Sequence, residues 1–243
     1  MFVNVVCATR LQSRSTGANL PSIIIQRPNM QNCYYPLPAK PRLPVPADDA
    51  AVSVTAPAKR LDASRASSDE MRRPFMQLAA VSGAAGSAYV ELGRTRVVCA
   101  VYGPRNDTRA RREFSKDGQL VCDVKFAPFA DAVTRRERGQ DADELELSTI
   151  VEQALAPAVM LHKLPKCVVS IFVTVLEDDG GVLAAAINCA SLALADAAVE
   201  MYDVVTAASA GIVNSTVVLD PSREEEQKGD GKLALAYMPS MGR

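Results

Sequence analysis

The chain has 243 residues, of which 48% are hydrophobic, and carries a formal net charge of −1 from 27 basic and 28 acidic side chains. This length allows one large domain or two small ones with a substantial hydrophobic core. The near-zero charge excludes a whole-protein basic field of the kind that drives nonspecific nucleic-acid binding, although a local basic path stays possible. No run of about 18 residues is continuously apolar, so the sequence predicts no membrane-spanning helix.

The first 60 residues differ in composition from the rest of the chain. Eight prolines fall between Pro21 and Pro57, and no acidic residue precedes Asp48. Because proline fixes φ and lacks a backbone donor, residues 1–60 are predicted to form a disordered or extended tail. An acid-poor N-terminus with arginines is also typical of a mitochondrial transit peptide, which is the alternative interpretation, but residues 1–20 show no amphipathic arginine helix.

The six cysteines and the single histidine, His162, give no pattern typical of a metal site. There is no CxxC pair, and zinc sites are built from closely spaced Cys and His ligands. Most cysteines lie in or beside apolar stretches, which predicts reduced, buried thiols. We therefore predict neither a metal ion nor another cofactor.

Three strands are predicted ahead of the first helix. Residues 88–93 and 95–102 are joined by a tight glycine turn and indicate a hairpin. Pro104 cannot donate to a central ladder and is expected to end the second strand. Residues 120–126 alternate apolar side chains with Asp and Lys, which predicts a third strand with one buried face.

A helix, a buried strand and a second helix are predicted next. Apolar residues at helical spacing indicate a helix from 147 to 162, with a kink or a break into two shorter pieces at Pro157. Residues 168–176 have apolar side chains at both odd and even positions, as in a strand covered on both faces. An acidic corner with two glycines, at 177–181, leads into an Ala/Leu-rich helix at 183–199. The corner leaves backbone N–H groups at a helix N-terminus, where an anion could bind.

The C-terminal part predicts a strand at 216–219, an acidic loop at 223–230 and a last strand at 232–238. The whole order is βββ-α-β-α-β-β, which indicates an α+β domain with helices packed on a mixed sheet. Asp196 lies within the apolar helix. A buried carboxylate needs a donor, so we expect Asp196 to have a structural partner elsewhere in the fold.

Several short motifs make the chain resemble the ribonuclease PH family over roughly residues 73–238. Each motif alone is weak, but together and in this order they are specific. They are GSAY (86–89), GRTRV (93–97), AVYGPR (100–105), APF (127–129), EDDGG (177–181), SLALADA (191–197) and LDP (219–221).

The resemblance implies a ribonuclease PH-type domain over residues 70–243, with a mixed sheet and helices in the ribosomal protein S5 domain 2-like fold. In the family the last strand leads to further strand and a C-terminal helix. The sequence ends at Arg243, so we expect a C-terminally truncated domain that lacks this helix.

Within the family, segments 141–147, 200–203 and 219–226 resemble one branch of subunits of the eukaryotic RNA exosome, the messenger-RNA transport-regulator type (exosome component six). The resemblance implies head-to-tail dimers with other ribonuclease PH-like subunits, three of which close a six-membered ring around an RNA channel. It also implies RNA-binding cap subunits as partners, no membrane, and a location in nucleus, nucleolus and cytoplasm.

Active members of the family use inorganic phosphate to attack the terminal phosphodiester of RNA, which needs cationic donors around the phosphate. The family pattern of two arginines and a hydroxyl residue corresponds here to Ala142, Asp143 and Glu144. At a further position where active members have a hydroxyl residue, this chain has Val182. We expect this arrangement to repel phosphate.

The resemblance also implies two carboxylates near the scissile bond, and the matching residues are Glu226 and Lys232. We therefore expect no catalytic residue, and a non-catalytic structural subunit of the exosome ring that supports 3′-to-5′ processing and degradation of RNA, ribosomal RNA included. The alternatives are an active phosphate-dependent 3′-to-5′ exoribonuclease and a subunit that binds RNA along its path without chemistry.

The candidate RNA-binding residues are Arg105, Arg111 and Arg112. Arg105 matches a family motif near the RNA path, and the other two follow it in a charged loop with Arg109. A second cluster of arginines lies at 135–138. A solvated surface is the alternative interpretation for both clusters.

Overall fold

The computed structural model describes Arg60, Arg65 and residues 67–106, 117–131, 142–213 and 216–241. Eight strands and three helices, with one short 3-10 turn, are found in these residues. They are β1 (Pro74–Leu78), β2 (Gly86–Leu92), β3 (Thr95–Asn106), β4 (Gln119–Phe126), α1 (Ala142–Leu155), the 3-10 turn (Leu161–Lys163), β5 (Cys167–Glu177), α2 (Val182–Asp196), β6 (Thr206–Val213), β7 (Thr216–Leu219), α3 (Arg223–Lys228) and β8 (Gly231–Tyr237).

The strands form two sheets. Five strands make a mixed sheet in the order β1-β2-β3-β5-β4, in which β4 runs parallel to β5 and the other neighbours are antiparallel. Three strands make an antiparallel sheet in the order β7-β6-β8. The predicted α+β architecture of helices against a mixed sheet is confirmed.

Helix α2 lies in the middle of the hydrophobic core. Nine of its residues are buried, and most are alanine, so its backbone packs closely on the sheet. Val97 on β3, Val173 on β5 and Leu194 on α2 belong to one continuous buried cluster. In this part of the chain every helix is too short or too polar to cross a membrane.

Most predicted elements are present. The break at Pro157 is confirmed, since α1 ends at Leu155 and a separate 3-10 turn begins at Leu161. Cys99, Cys122 and Cys189 are buried free thiols, as predicted, and Cys167 is half-buried. Burial, with a smaller effect of the nearby Glu152 charge, raises the pKa of Cys122 to about 12.

Three predictions about local structure were wrong. Strand β5 is not covered on both faces, because Phe172 and Thr174 are exposed. Strand β3 does not end at Pro104, because its ladder with β5 shifts register between Tyr102 and Arg105 and then continues to Asn106. The segment predicted as an acidic loop at 223–230 contains the helix α3.

The folded part of the chain includes two arginines from ahead of its predicted start at residue 70. Arg60 and Arg65 are 8% and 7% exposed, and both donate hydrogen bonds to the carbonyl of Asp220. The other residues predicted to form the tail, 1–59, lie outside the described residues.

Candidate active site

The acidic corner between β5 and α2 depends on two glycines with positive φ. Gly180 has φ +87° and Gly181 has φ +67°. A Cβ on Gly180 would lie 2.7 Å from the carbonyl oxygen of Pro221 and 2.8 Å from the backbone nitrogen of Arg223. Only glycine fits there, because the corner packs directly against the backbone that joins β7 to α3.

The protein's own carboxylate occupies the helix N-terminus where the sequence allowed an anion. The N–H of Gly181, the residue before α2, donates to Oε1 of Glu226 at 2.8 Å. A carboxylate at this position is stabilised by the helix dipole and by the free N–H group. The other oxygen, Oε2, lies 3.4 Å from Nζ of Lys232 on β8.

A cleft of about 520 Å³ opens between α1, the corner and β8. Its apolar wall includes Phe126, Leu147 and Leu233. Its charged lining, among the described residues, consists of one ammonium and four carboxylates, which are Lys232, Asp143, Glu146, Asp178 and Glu226. The described part of the lining therefore has an excess of negative charge.

The structure separates the three residues that the resemblance placed at the two arginine positions and the hydroxyl position. Asp143 is in the first turn of α1 and lines the cleft, whereas Ala142 is exposed and does not. Glu144 is buried, and its carboxylate accepts the backbone N–H of Phe126 at 2.9 Å. Glu144 therefore joins α1 to β4 and is not part of the cleft lining. Val182 is half-buried and lines the cleft, as expected.

Two arginine side chains hold the corner, one from each side. On one side Arg72 donates to the carbonyl oxygens of Asp179, at 3.1 Å, and Gly180, at 3.2 Å. On the other side Arg223, in α3, pairs with Asp178, at 3.4 Å, and with Asp131. Asp178 also accepts the N–H of Gly180 at 3.1 Å, as is typical of an aspartate in a turn.

The basic residues predicted to bind RNA are described only in part. Arg105 is exposed near the end of β3, and its Nη2 lies 3.1 Å from Oγ of Ser170. Arg111 and Arg112 lie outside the described residues, as do Arg109 and the cluster at 135–138. Asp196 has the predicted structural partner, since its carboxylate accepts the N–H of Ser87 at 2.9 Å.

Sequence reasoning missed the arginines that support this site. Arg60, Arg65 and Arg72 all contact residues between Leu219 and Glu225. A run of arginines ahead of the first strand was the available signal, but no pattern in the sequence shows which acid each one meets. Within the described residues no group of three or more His, Cys, Asp or Glu side chains could hold a metal ion.

Comparison with protein families assigns almost the whole described region. Residues 70–200 match domain 1 of the 3′ exoribonuclease family, and residues 203–241 match its domain 2. The chain therefore belongs to the ribonuclease PH family of 3′ exoribonucleases, as the motifs predicted.

Similar proteins are components of exosomes. The chain is 40% identical over 171 residues to the "Exosome complex component RRP41-like" of Arabidopsis thaliana, a match that covers 70% of this chain and 65% of that protein. It is 38% identical over 173 residues to the "Exosome complex component Rrp41" of Nitrosopumilus maritimus, covering 71% and 70%. The chain thus spans about two thirds of the length of these relatives.

Solved structures show the same fold. Rice (Oryza sativa) Rrp46 superposes with a TM-score of 0.64 at 24% identity, over 74% of this chain and 81% of that chain. An Archaeoglobus fulgidus exosome with RNA bound to the active site superposes with a TM-score of 0.61 at 27% identity, over 70% and 74%. The predicted ribonuclease PH-type fold is confirmed.

The prediction of a non-enzymatic chain with a degenerate site was wrong. The family is one of 3′ exoribonucleases, and the relatives above are named Rrp41. The prediction depended on single positions of a family pattern, and one of them, Glu144, lies outside the cleft and binds β4 instead. The finer assignment to the messenger-RNA transport-regulator branch is not confirmed.

Proposed function

We propose that this protein is a ribonuclease PH-type subunit of an exosome-like assembly and acts as a phosphate-dependent 3′-to-5′ exoribonuclease. The observation that carries the proposal is the similarity to Rrp41 components, at 36–42% identity over 71–72% of the chain. The cleft beside α2 is the proposed site of the reaction. Its walls are formed by elements from both matched family domains.

In the proposed reaction, an oxygen of inorganic phosphate attacks the phosphorus of the last phosphodiester bond of RNA. The bond from that phosphorus to the 3′ oxygen of the preceding nucleotide breaks, and the 3′ oxygen takes a proton. The products are a nucleoside diphosphate and an RNA shortened by one nucleotide. Two anions must approach each other in this reaction, so a cation and a proton donor are required.

The cleft offers residues for these roles. Lys232 supplies a positive charge beside Glu226, at 3.4 Å, and we assign to it the contact with phosphate. Glu226 is held by the N–H of Gly181, and we assign to it the transfer of a proton to the leaving 3′ oxygen. Phe126 supplies an aromatic surface on which a base can stack.

The carboxylates of the cleft have a consequence for the reaction. Asp143, Glu146 and Asp178 oppose the approach of phosphate, because like charges in a partly closed cleft repel each other. We therefore expect weak phosphate binding, with a high KM for phosphate.

An assembly is supported by the exposed apolar side chains of β1. Phe75, Met76 and Leu78 are 54%, 46% and 48% exposed on a strand at the edge of the five-stranded sheet. An edge strand with such side chains is a typical surface for another protein chain. We propose that other ribonuclease PH-like subunits cover it in a six-membered ring with cap subunits.

RNA contact by Arg105 is part of the proposal. Arg105 lies at the end of β3, a few residues ahead of Arg111 and Arg112 in the sequence, and these three residues are the proposed RNA-binding set. The subunit type stays a prediction, as does a location in nucleus, nucleolus and cytoplasm. Identification of the subunits that co-purify with the tagged chain tests the type of neighbour.

The activity is tested with the purified assembly and a short single-stranded RNA labelled at its 5′ end. We expect stepwise shortening from the 3′ end that requires inorganic phosphate and is lost in an assembly with Lys232→Ala. Matched assemblies containing Lys228→Ala, at an exposed lysine of α3, serve as the control. Shortening that is equal with and without phosphate contradicts the proposed reaction.

A further inference from the structure

Arg60 makes a set of hydrogen bonds that only a guanidinium can make. Its Nε donates to Oε1 of Glu225 at 3.2 Å. Its Nη1 donates to the carbonyls of Ser67, at 3.0 Å, and Glu70, at 2.8 Å. Its Nη2 donates to the carbonyls of Leu219 and Asp220. Because Arg60 is buried, each of these bonds is protected from competition by water.

The acceptor side chain, Glu225, is fixed in turn. Glu225 is 1% exposed, and its Oε2 accepts the backbone N–H of Ser222 at 3.0 Å. Arg65 adds a second positive charge, with Nη2 3.9 Å from the same oxygen. Glu225 is the one buried residue of the six-residue helix α3, so it fixes the rotation of the helix together with Arg223, which pairs with Asp178 and Asp131.

The rotation of α3 decides where the next side chain points. Successive side chains on a helix are about 100° apart, since one turn holds 3.6 residues. With Glu225 directed into the interior, Glu226 is directed to the corner, where Oε1 accepts the N–H of Gly181 at 2.8 Å and Oε2 lies 3.4 Å from Lys232.

We propose that Arg60 is a positioning residue for the cleft, which fixes the rotation of α3 through Glu225 and thereby aims Glu226 at Gly181 and Lys232. Arg60 itself does not line the cleft. The effect on turnover rests on the proposed function, whereas the effect on the geometry of Glu226 does not.

Amide hydrogen exchange at Gly181 tests the geometry in the full chain. In Arg60→Ala we expect the exchange protection of the Gly181 amide to fall by at least about tenfold, because its acceptor, Glu226, is no longer held in place. Protection of the Val173 amide, in the central strand β5, should stay unchanged. Arg94→Ala, at an exposed arginine in the β2–β3 turn, is the matched control.

A conservative variant separates positioning from a general loss of stability. In Arg60→Lys the charge is kept but the fork of donors is lost, so we expect a smaller fall in protection at Gly181. In the assembled enzyme we expect kcat to be lowest in Arg60→Ala, intermediate in Arg60→Lys and highest in the unchanged chain. KM for RNA should stay constant. If Arg60→Ala does not fold, the Arg60→Lys variant serves as the test.

The inference is overturned if Gly181 keeps its protection in folded Arg60→Ala or Arg60→Lys. It is also overturned if Gly181 and Val173 lose protection equally, or if neither variant folds, because Arg60 would then act on the stability of the whole domain. If Gly181 alone loses protection in an assembly without phosphorolytic activity, the positioning role stands and the proposed function fails.

Discussion

Arg72 and Asp220 form a bidentate ion pair that joins the segment just ahead of β1 to the end of β7. Nε and Nη2 of Arg72 lie 2.7 and 2.6 Å from the two oxygens of Asp220, and the backbone N–H of Arg72 donates to the same carboxylate at 3.0 Å. Arg72 also donates to the carbonyl oxygens of Asp179 and Gly180, so the ion pair connects Asp220 to the corner of the cleft.

The pair sets the ionisation of Asp220. Burial alone would raise the pKa of this carboxyl, but the hydrogen bonds and charge of Arg72, with the charge of Arg65, outweigh burial and lower the pKa below its ordinary value. A lowered pKa in the folded state stabilises the fold above the unfolded-state pKa, and this stabilisation is lost as the pH falls through the folded-state pKa.

Asp220→Asn should therefore destabilise the domain in a pH-dependent way. Asn keeps the shape and tolerates the φ of +51° at this position. We expect a loss of about 3 kcal/mol in the free energy of unfolding at neutral pH, as for other broken buried ion pairs. The loss should shrink below about pH 4, where the carboxyl of the unfolded chain is protonated. Urea unfolding across this range measures it.

Asp230→Asn, at an exposed acid after α3, is the control and should change the free energy of unfolding little. A difference between Asp220→Asn and the unchanged chain that is constant with pH, or that grows on acidification, contradicts the assigned role of the pair.

The two glycines of the corner should differ in their tolerance of alanine. Both have positive φ, which costs about 1–2 kcal/mol for alanine. At Gly180 the new Cβ would also meet backbone atoms at 2.7 and 2.8 Å, whereas at Gly181 the nearest atoms are side-chain ends of Ser209 and Arg72 at 3.1 and 3.2 Å. We expect Gly180→Ala to be the more destabilising by about 1–3 kcal/mol in urea unfolding. Equal losses, or the reverse order, would show that the corner is free to move away from α3.

Asp143→Asn should improve phosphate binding. Asp143 lines the cleft, so removal of its charge removes a repulsion that acts on phosphate. We expect KM for phosphate to fall about two- to tenfold, since the site is open to solvent and the repulsion is partly screened. Steady-state phosphorolysis by the assembled ring measures the change. Asp123→Asn, outside the cleft on β4, is the matched control, and an unchanged KM in Asp143→Asn would place phosphate elsewhere.

Arg105→Glu should weaken RNA binding by the assembled ring. If Arg105 contacts a phosphate, the slope of log K against log salt should decrease by about 0.7 for single-stranded RNA. Filter binding at several salt concentrations gives the slope. Arg94→Glu makes the same charge change in the exposed β2–β3 turn. The same slope in Arg105→Glu as in the unchanged chain would remove Arg105 from the RNA path.

The order of the central elements could be predicted because hydrophobic pattern and turn residues agreed there. Strong local signals marked the strand β5, the corner at Gly180 and Gly181, and the apolar helix α2. The apolar run did not show that one face of β5 is exposed, at Phe172 and Thr174. Strand β1 was missed because all five of its residues are exposed, so no alternation marks a buried face. Strand β6 was missed because small residues dominate it.

The chemistry of the cleft could be predicted only in part, because sequence position does not fix the direction of a side chain. Helix α3 had an available signal, the Ser222 and Glu225 spacing of a helix N-terminus, which its acidic composition obscured. Asp143 and Glu144 are neighbours in sequence, yet one lines the cleft and the other binds the backbone of β4. The long-range pairs of Arg60 and Arg72 with the β7–α3 segment depend on the tertiary fold.

Phosphate-dependent removal of nucleotides from the 3′ end of RNA can be followed by the transfer of labelled phosphate to the products. The assembly is incubated with unlabelled RNA and radiolabelled inorganic phosphate, and the nucleotides released are separated. We expect the label to appear as the β-phosphate of nucleoside diphosphates, and an assembly with Lys232→Ala to yield much less of it. Release of unlabelled nucleoside monophosphates, or no release from an assembly that binds the RNA, would contradict the proposed reaction.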